Sequence, residues 1–213
     1  MGSGLVEQVV SGEAPPLVPL SVEQYHTMLE RGILRDGDPV ELVEGLLVRK
    51  DRSAAGGPPM THGPRHALIV NRLMRLARPL ESVDCHVRVQ LPVTLSNVDE
   101  PEPDLAVVRG SIEGFGERHP GSPDLLVVVE VADSSLRYDR GTKQRVYASA
   151  GVPAYVIVNI PEDRIELYDR PEPEAGRYGR RTDYRAGDVL SLPLAEGRTL
   201  AVPVSDVLGP TSR

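Results

Sequence analysis

Two apolar runs near the middle of the chain each carry an acidic residue where a buried strand should have none. The first run, Leu105 to Val108, directly follows Asp104, and the second, Leu125 to Val131, contains Glu130. Short runs this rich in Val and Leu are typical of strands. Burying a carboxylate without a partner costs several kcal/mol, so the fold must bring a neutralising group to these two acids.

We expect the two strands to be antiparallel neighbours, because a single surface loop connects them. The start of one strand then lies beside the end of the other, and Asp104 meets Glu130 at one end of the sheet. The neutralising group can be a divalent cation, a shared proton or a basic residue. Since no Cys or His cluster lies nearby in sequence, oxygen ligation favours Mg²⁺ or Mn²⁺ over Zn²⁺.

A helical segment follows the second strand and directs a lysine toward the sheet. Lys143 shares one helical face with the core-type residues at i+3, i+4 and i+7. Two acids and a lysine around a metal can orient and activate a water molecule against a phosphodiester. The alternative is structural: Asp104 caps a turn, and Glu130 forms a salt bridge with Lys143. Spacing alone does not separate the two.

Composition favours one globular domain. The chain has 213 residues, 40% hydrophobic and 26% charged, which is the balance of a soluble protein with a single core. We expect a flexible N-terminal arm over residues 1–19 and a single domain over 20–213. A net charge of −7 argues against tight non-specific binding to nucleic acid, and 4% aromatic residues argue against base-stacking platforms.

The location expected for this chain is the cytoplasm. Its one cysteine, Cys85, excludes an internal disulfide and a multi-cysteine metal site, and its alternating surroundings predict a buried, inert thiol. The first 20 residues lack a secretory signal pattern, and no apolar run reaches the ~20 residues needed to span a bilayer.

Periodicity predicts a mixed α/β or α+β fold, in which helices pack against a sheet built largely from sequential antiparallel neighbours. The predicted elements are a helix that starts at Ser21, a hairpin over 40–48 that turns at Glu44 and Gly45, one long helix from Pro64 to Leu80, a strand from Asp84 to Leu95, the central strands and helix described above, a strand over 154–158, a strand over 164–168, and short strands over 184–202.

The ordered set of motifs resembles the Uma2 family of proposed nucleases, which is also described as a domain of unknown function. The resemblance covers nearly the whole chain from about Ser21 onward. It rests on Pro103-Asp104 and the apolar run after it, Glu130 and Ser134-Ser135, Tyr138-Asp139-Arg140, Lys143, Tyr147-Ala148, and Gly151-Val152-Pro153-Ala154-Tyr155, and upstream on Glu41-Leu-Val-Glu44-Gly45 and His66.

This resemblance implies a restriction-endonuclease-like core of the PD-(D/E)XK superfamily, with a central mixed β-sheet flanked by helices, a divalent-metal site and DNA cleavage. It assigns Asp104 and Glu130 to the two acids of the motif. Ala132 stands where the superfamily usually has its lysine, so Lys143 is the implied substitute, and Glu44 could supply a further carboxylate. Asn159 and the Ala154-Tyr155-Val156 stretch depart from the family pattern at positions that are not expected metal ligands.

Several candidate site residues have two possible interpretations. Glu44 is a site carboxylate or a charged turn residue, and His66 is a cleft residue or an ordinary polar residue at a helix start. Gln90 faces the cleft, as the resemblance favours, or solvent.

His62 is four residues from His66, but Gly63 and Pro64 intervene, which argues against a zinc motif on one helical face. Arginines on the long helix track phosphates or form a solvated surface; these are Arg65, Arg72, Arg75 and Arg78.

Two functions follow. The first is an Mg²⁺- or Mn²⁺-dependent endonuclease acting on DNA, with Asp104 and Glu130 as ligands and Lys143 orienting water. The second is a catalytically silent nucleic-acid-binding or dimeric interaction module of the same fold, which the acidic net charge favours. Hydrolysis of RNA or a small phosphoester would use the same residues. Cutting at a palindromic site would require a homodimer, and no sequence feature names a recognition sequence.

Overall fold

A fully buried central strand dictates the layered architecture of this protein. The computed structural model describes residues 17–35, 37–50 and 63–209. Every residue of the strand Leu125–Ala132 is buried, so both of its faces must be covered by other elements. The expected mixed sheet flanked by helices is confirmed.

The main sheet has six strands in the order β3-β4-β5-β6-β7-β8. β5 and β6 are parallel and are joined by a helical crossover, whereas all the other neighbours in this sheet are antiparallel. The strands are β1 (Val40–Val43), β2 (Leu46–Arg49), β3 (Cys85–Val89), β4 (Leu105–Arg109), β5 (Leu125–Ala132), β6 (Ala154–Asn159), β7 (Arg164–Glu172), β8 (Arg177–Tyr184), β9 (Val189–Pro193) and β10 (Thr199–Pro203).

Helices cover both faces of this sheet. A 3₁₀ turn over Met74–Leu76 connects α2 to α3, and a π-helical turn over Asp139–Lys143 connects α4 to α5. The helices are α1 (Val22–Glu30), α2 (Pro64–Leu73), α3 (Ala77–Glu81), α4 (Leu136–Tyr138), α5 (Gln144–Ser149) and α6 (Val204–Leu208).

Strand alternation divides the apolar side chains between two cores. On β5, Val127, Val129 and Val131 belong to the core shared with α2, α3, α6 and the β9–β10 hairpin. Val128 and Ala132 point the other way, into the core beneath α5. Glu130 has the parity of Val128 and Ala132, so the fold places this acid on the α5 face.

Two local predictions are confirmed in atomic detail. Ser21 caps α1 with a capping box, in which its hydroxyl accepts from the Gln24 amide and the Gln24 side chain accepts from the Ser21 amide. β1 and β2 form the expected hairpin. Glu44 (φ 51°) and Gly45 (φ 72°) both adopt positive φ, as a two-residue type I′ turn requires.

Two predicted element boundaries are wrong. The helix expected from Pro64 to Leu80 is interrupted by the 3₁₀ turn, because Pro79 has no N–H to donate to the carbonyl of Arg75. The strand expected to reach Leu95 ends at Val89. Gln90 then adopts φ 51°, which takes the chain out of the extended conformation.

The remaining expectations concern the chain ends and the cysteine. Cys85 is buried as predicted, and burial raises the pKa of its thiol. In the part of the chain that the structure describes, no helix combines the length and apolar character needed to cross a membrane. Most of the expected N-terminal arm, residues 1–16, lies outside the described residues, as does His62.

Candidate active site

The β4–β5 register brings Asp104 and Glu130 together. Leu105 pairs with Val129, so the residue before β4 lies beside the residue that follows Val129. Asp104 Oδ2 accepts a hydrogen bond of 2.8 Å from the Val131 amide, which fixes this carboxylate against β5. Both acids therefore occupy the end of the sheet where the sequence pattern predicts them.

Lys143 is the neutralising residue in this structure. It closes the π-helical turn, and its side chain is only 4% exposed. Lys143 Nζ lies 2.7 Å from Glu41 Oε2 and 3.1 Å from Glu130 Oε1. The lysine thus bridges a carboxylate of β1 and a carboxylate of β5.

Sequence reasoning missed Glu41 and proposed Glu44 instead. Glu41 is buried on β1, and its Oε2 also accepts a hydrogen bond of 3.0 Å from the Glu102 amide. A signal was present, because Glu41 interrupts a β-prone run in the same way that Glu130 does. The same signal that marks the acid of the central strand therefore also marks the acid of the hairpin.

The structure does not bring Glu44 to the lysine. Its carboxylate is exposed and forms a two-pronged ion pair with Arg145, at 2.9 Å to Nε and 2.8 Å to Nη2. The turn conformation at Glu44 and Gly45 directs this side chain to the surface. The contacts of Glu44 are therefore those of a charged turn residue, which is the alternative interpretation of its role.

His66 and Gln90 both lie beside Asp104. His66, in the first turn of α2, is 2% exposed, and its Nε2 lies 3.1 Å from Asp104 Oδ1. Gln90 is exposed, and its Nε2 lies 3.5 Å from the same oxygen. The positive φ of Gln90 also lets its amide donate to the Asp104 carbonyl at 3.2 Å. Both residues thus flank the acid that the sequence assigns to the metal.

Burial and neighbouring charge set the protonation of the cluster. Burial raises the pKa of Glu130 to about 8; Lys143 opposes this shift, and the carboxylates of Asp104, Asp139 and Glu41 add to it. Burial alone would lower the pKa of Lys143, but Glu130 and Glu41 outweigh it and raise that pKa. Lys143 is therefore a cation throughout the physiological range.

Tyr147 anchors the second acid from the helix side. Its hydroxyl donates a hydrogen bond of 2.9 Å to Glu130 Oε1, the same oxygen that Lys143 approaches. Tyr147 is completely buried, so this hydrogen bond holds Glu130 in one orientation. One face of α5 and the turn before it thus fix the acid of β5.

The cluster has the donor set that a hard divalent cation prefers. Asp104, Glu130 and Glu41 supply carboxylate oxygens, and Lys143 is the cation that contacts two of them. When all three acids are ionised, one ammonium leaves an excess of negative charge, which a divalent cation would offset. Asp104 and Glu130, which the β4–β5 register brings together, are the pair that could hold Mg²⁺ or Mn²⁺.

Two arginines of α2 that were candidates for binding nucleic-acid phosphates contact other segments of this protein instead. Arg65 pairs with Asp163 and also reaches the carbonyl of Ile160, and Arg72 donates to the carbonyl of Val207 at 3.3 Å. These contacts attach α2 to neighbouring segments. They favour a structural use for both side chains.

The sequence model of the Uma2 family, described as "Putative restriction endonuclease", matches residues 22–203. The chain belongs to the Uma2 family. The same fold occurs in a crystal structure described as a putative nuclease belonging to DUF820 from Anabaena variabilis ATCC 29413. That chain is 14% identical, with a TM-score of 0.62 over 89% of this chain and 98% of the other. A search of the curated proteins found no match.

The match to the Uma2 family spans the whole cluster. The matched range contains both acids, the lysine and the hairpin that supplies Glu41. At 14% identity, the Anabaena structure shows the fold alone. The roles of individual side chains therefore depend on the contacts described above.

Proposed function

We propose that this protein is a divalent-metal-dependent endonuclease that hydrolyses DNA phosphodiester bonds. The observation that carries the proposal is that Asp104 and Glu130 lie side by side at the ends of adjacent strands, with a buried lysine 3.1 Å from Glu130. The family description and the name of the Anabaena neighbour, a nuclease in both cases, support the same substrate class.

In this proposal, Asp104 and Glu130 would hold Mg²⁺ or Mn²⁺. A cation held there would polarise the scissile phosphate and lower the pKa of a coordinated water. Lys143 contributes a fixed positive charge, since its raised pKa keeps it protonated. It therefore orients the attacking water and stabilises the charge that develops on the phosphate, and it does not act as the base.

The neighbouring residues position these three groups. Glu41 holds the Lys143 ammonium from the side of the hairpin, at 2.7 Å. The Val131 amide and His66 contact the two oxygens of Asp104. Each acid is thus held by at least one hydrogen bond before substrate binds, which reduces the reorganisation needed in the transition state.

Cleavage of supercoiled plasmid tests the proposal. The wild-type protein should nick the plasmid with Mg²⁺ or Mn²⁺ and should not do so in EDTA. Lys143→Gln should slow nicking about 100-fold or more, as expected for loss of a charge at the reacting phosphate. Arg145→Gln removes the same charge from an exposed site on the adjoining helix, and it should stay within a few-fold of wild type.

Equal nicking by the wild-type protein and Lys143→Gln would refute the assignment. Metal-independent nicking that persists in Asp104→Asn would refute it as well. Melting temperatures of all variants show whether a loss of activity reflects a loss of folding.

The second candidate is a catalytically silent nucleic-acid-binding or dimeric module. Ala132 in place of the usual lysine and the net charge of −7 favour it. Fluorescence anisotropy with labelled duplex DNA separates the two, because a silent module binds DNA but leaves it intact when Mn²⁺ is present. Light scattering would test the homodimer that cleavage at a palindromic site requires.

A further inference from the structure

A second cluster of ligand-type side chains lies outside the nuclease site. It joins His26 of α1, Glu100 of the β3–β4 connection and His119 of the β4–β5 connection. One nitrogen or oxygen from each of the three side chains lies within 4.8 Å of the other two. His26 Nε2 and Glu100 Oε1 are only 2.6 Å apart. Three segments that are distant in sequence therefore present two imidazoles and one carboxylate to a common point.

Glu100 is held in place independently of the histidines. Its backbone amide donates to the Leu42 carbonyl at 2.8 Å, which attaches this loop to β1. The Thr94 hydroxyl donates to Glu100 Oε2 at 2.6 Å, and the other carboxylate oxygen is the one that meets His26. Glu100 is 2% exposed. A buried carboxylate with one oxygen held by a hydroxyl is how proteins orient a metal ligand.

Burial favours the neutral form of the His119 imidazole. Burial lowers its pKa, with Glu100 acting in the opposite sense and Arg88 in the same sense as burial. Neutral imidazole is the form that binds metals. Arg88 Nη2 lies 3.3 Å from His119 Nδ1. When one imidazole nitrogen binds a metal, the other nitrogen carries the ring proton, so Nδ1 can no longer accept a hydrogen bond from Arg88. The contact between Arg88 and His119 must therefore break when the metal binds.

We propose that His26, Glu100 and His119 form a second metal site, selective for Zn²⁺ or a chemically similar divalent transition metal. Two imidazoles and a carboxylate suit a borderline metal, whereas the all-oxygen pair Asp104 and Glu130 suits Mg²⁺ or Mn²⁺. The two sites would therefore bind different cations.

The surroundings leave room for a fourth ligand. A cavity of about 550 Å³ reaches the cluster at His26 and is also lined by Thr27 and Thr94 among others. Three protein ligands with space for water are typical of zinc sites that keep an open position. A bound ion would also fasten α1 to the two connections that flank β4, and so stabilise the fold.

Titration of the untagged, EDTA-treated full chain with Zn²⁺ alone tests this proposal. Calorimetry in the presence of excess Mg²⁺ should show one saturable Zn²⁺ site. His26→Ala and His119→Ala should each weaken binding about 100-fold or more. Glu30→Gln removes an exposed carboxylate that lines the same cavity and should leave binding unchanged. Asp104→Asn should also bind Zn²⁺ normally.

Co²⁺ gives a second readout, because a tetrahedral Co²⁺ site absorbs visible light strongly. The wild-type protein should show this band, and His26→Ala should lose it. Absence of saturable Zn²⁺ binding in the wild-type protein would overturn the proposal and leave His26 and Glu100 as an ion pair. Equal binding by His26→Ala and Glu30→Gln, or loss of the Zn²⁺ site in Asp104→Asn, would also overturn it.

Discussion

In the proposed metal centre, the charge of Glu130 controls whether a cation can bind. Its carboxylate is almost completely buried, near Asp104, Asp139 and Glu41, and these surroundings raise its pKa to about 8. A metal ligand must be ionised, so a proton and a divalent cation compete for Glu130. The direction of the pKa shift therefore predicts how metal binding depends on pH.

Mn²⁺ affinity should increase about tenfold per pH unit between pH 6 and pH 7.5 and then level off above the pKa of Glu130, which is about 8. At pH 7, binding should release close to one proton, because the metal binds only the ionised carboxylate. Calorimetry in buffers of different ionisation enthalpy measures this number directly. Proton release that is absent at pH 7 would contradict the raised pKa.

Glu41 and Glu44 offer a matched pair of substitutions three residues apart. Glu41→Gln removes the carboxylate that lies 2.7 Å from Lys143 Nζ, whereas Glu44→Gln removes one that contacts Arg145 at the surface. We expect Glu41→Gln to slow plasmid nicking about 10- to 100-fold by misplacing the lysine, and Glu44→Gln to have little effect. Nicking rates measured at saturating Mg²⁺ test this difference. The reverse order would restore Glu44 as the site carboxylate.

A charge within or beside an apolar run indicates two of the candidate site residues from the sequence alone. Asp104 and Glu130 stand out in this way, and helical spacing directed Lys143 toward the sheet. Glu41 could not be paired with Lys143, because 102 residues separate them and only the folded hairpin brings them together. The family resemblance implies Glu44 as the acid before the hairpin glycine, but this position sends side chains outward in a tight turn.

At the scale of elements, the π-helical turn Asp139–Lys143 supports the site from two sides. Lys143 points into the cluster, and Arg140 of the same turn binds Glu166 on β7. Glu166 is completely buried and also accepts hydrogen bonds of 2.7 Å from both Asn159 and Tyr168. This network attaches the turn that carries the lysine to β6 and β7.

Glu166→Gln should lower the free energy of unfolding by about 3 kcal/mol at pH 7, because it leaves Arg140 with a weaker buried partner. Burial acts to raise the pKa of Glu166, but hydrogen bonds from Arg140, Asn159 and Tyr168 outweigh it and lower that pKa to about 2. A depressed pKa stabilises the fold above the pKa of the unfolded chain. That stability is lost as the pH falls from about 4.5 toward 2.

Urea denaturation across this pH range measures both effects. Glu162→Gln is the control, since Glu162 also contacts Arg140, at 3.1 Å, but is partly exposed. We expect a change below about 1 kcal/mol for this variant. Equal destabilisation by the two substitutions, or an unchanged acid dependence in Glu166→Gln, would show that the Glu166 network does not stabilise the fold.

Elements with a strong local sequence signature are predicted well from the sequence. Elements whose ends depend on a single backbone dihedral angle are not. The capping box at Ser21 and the turn at Glu44 and Gly45 have strong local signatures. The end of β3 depends on the positive φ of Gln90, a conformation that glutamine rarely adopts and that no residue pattern announces. The π-helical turn likewise had no signal in the spacing of the helix.

At the scale of the whole molecule, the order of elements predicted the mixed sheet. Among the described residues, each antiparallel pair joins strands that are consecutive in the chain, and the one parallel pair of strands, β5 and β6, spans a helical crossover. Sequence could not place the β9–β10 hairpin, which packs its apolar side chains into the α2 side of the core through tertiary contacts alone.

Crystals of the protein soaked in Mn²⁺ give the most direct test of the proposed centre. An anomalous difference map should show a peak bound by carboxylate oxygens of Asp104 and Glu130, with Lys143 adjacent and Glu44 still at the surface, and Asp104→Asn should abolish this peak. A map from well-occupied crystals at pH 8.5 with no peak between the two acids, or with an unchanged peak in Asp104→Asn, would contradict a metal-dependent nuclease centre at this end of the sheet.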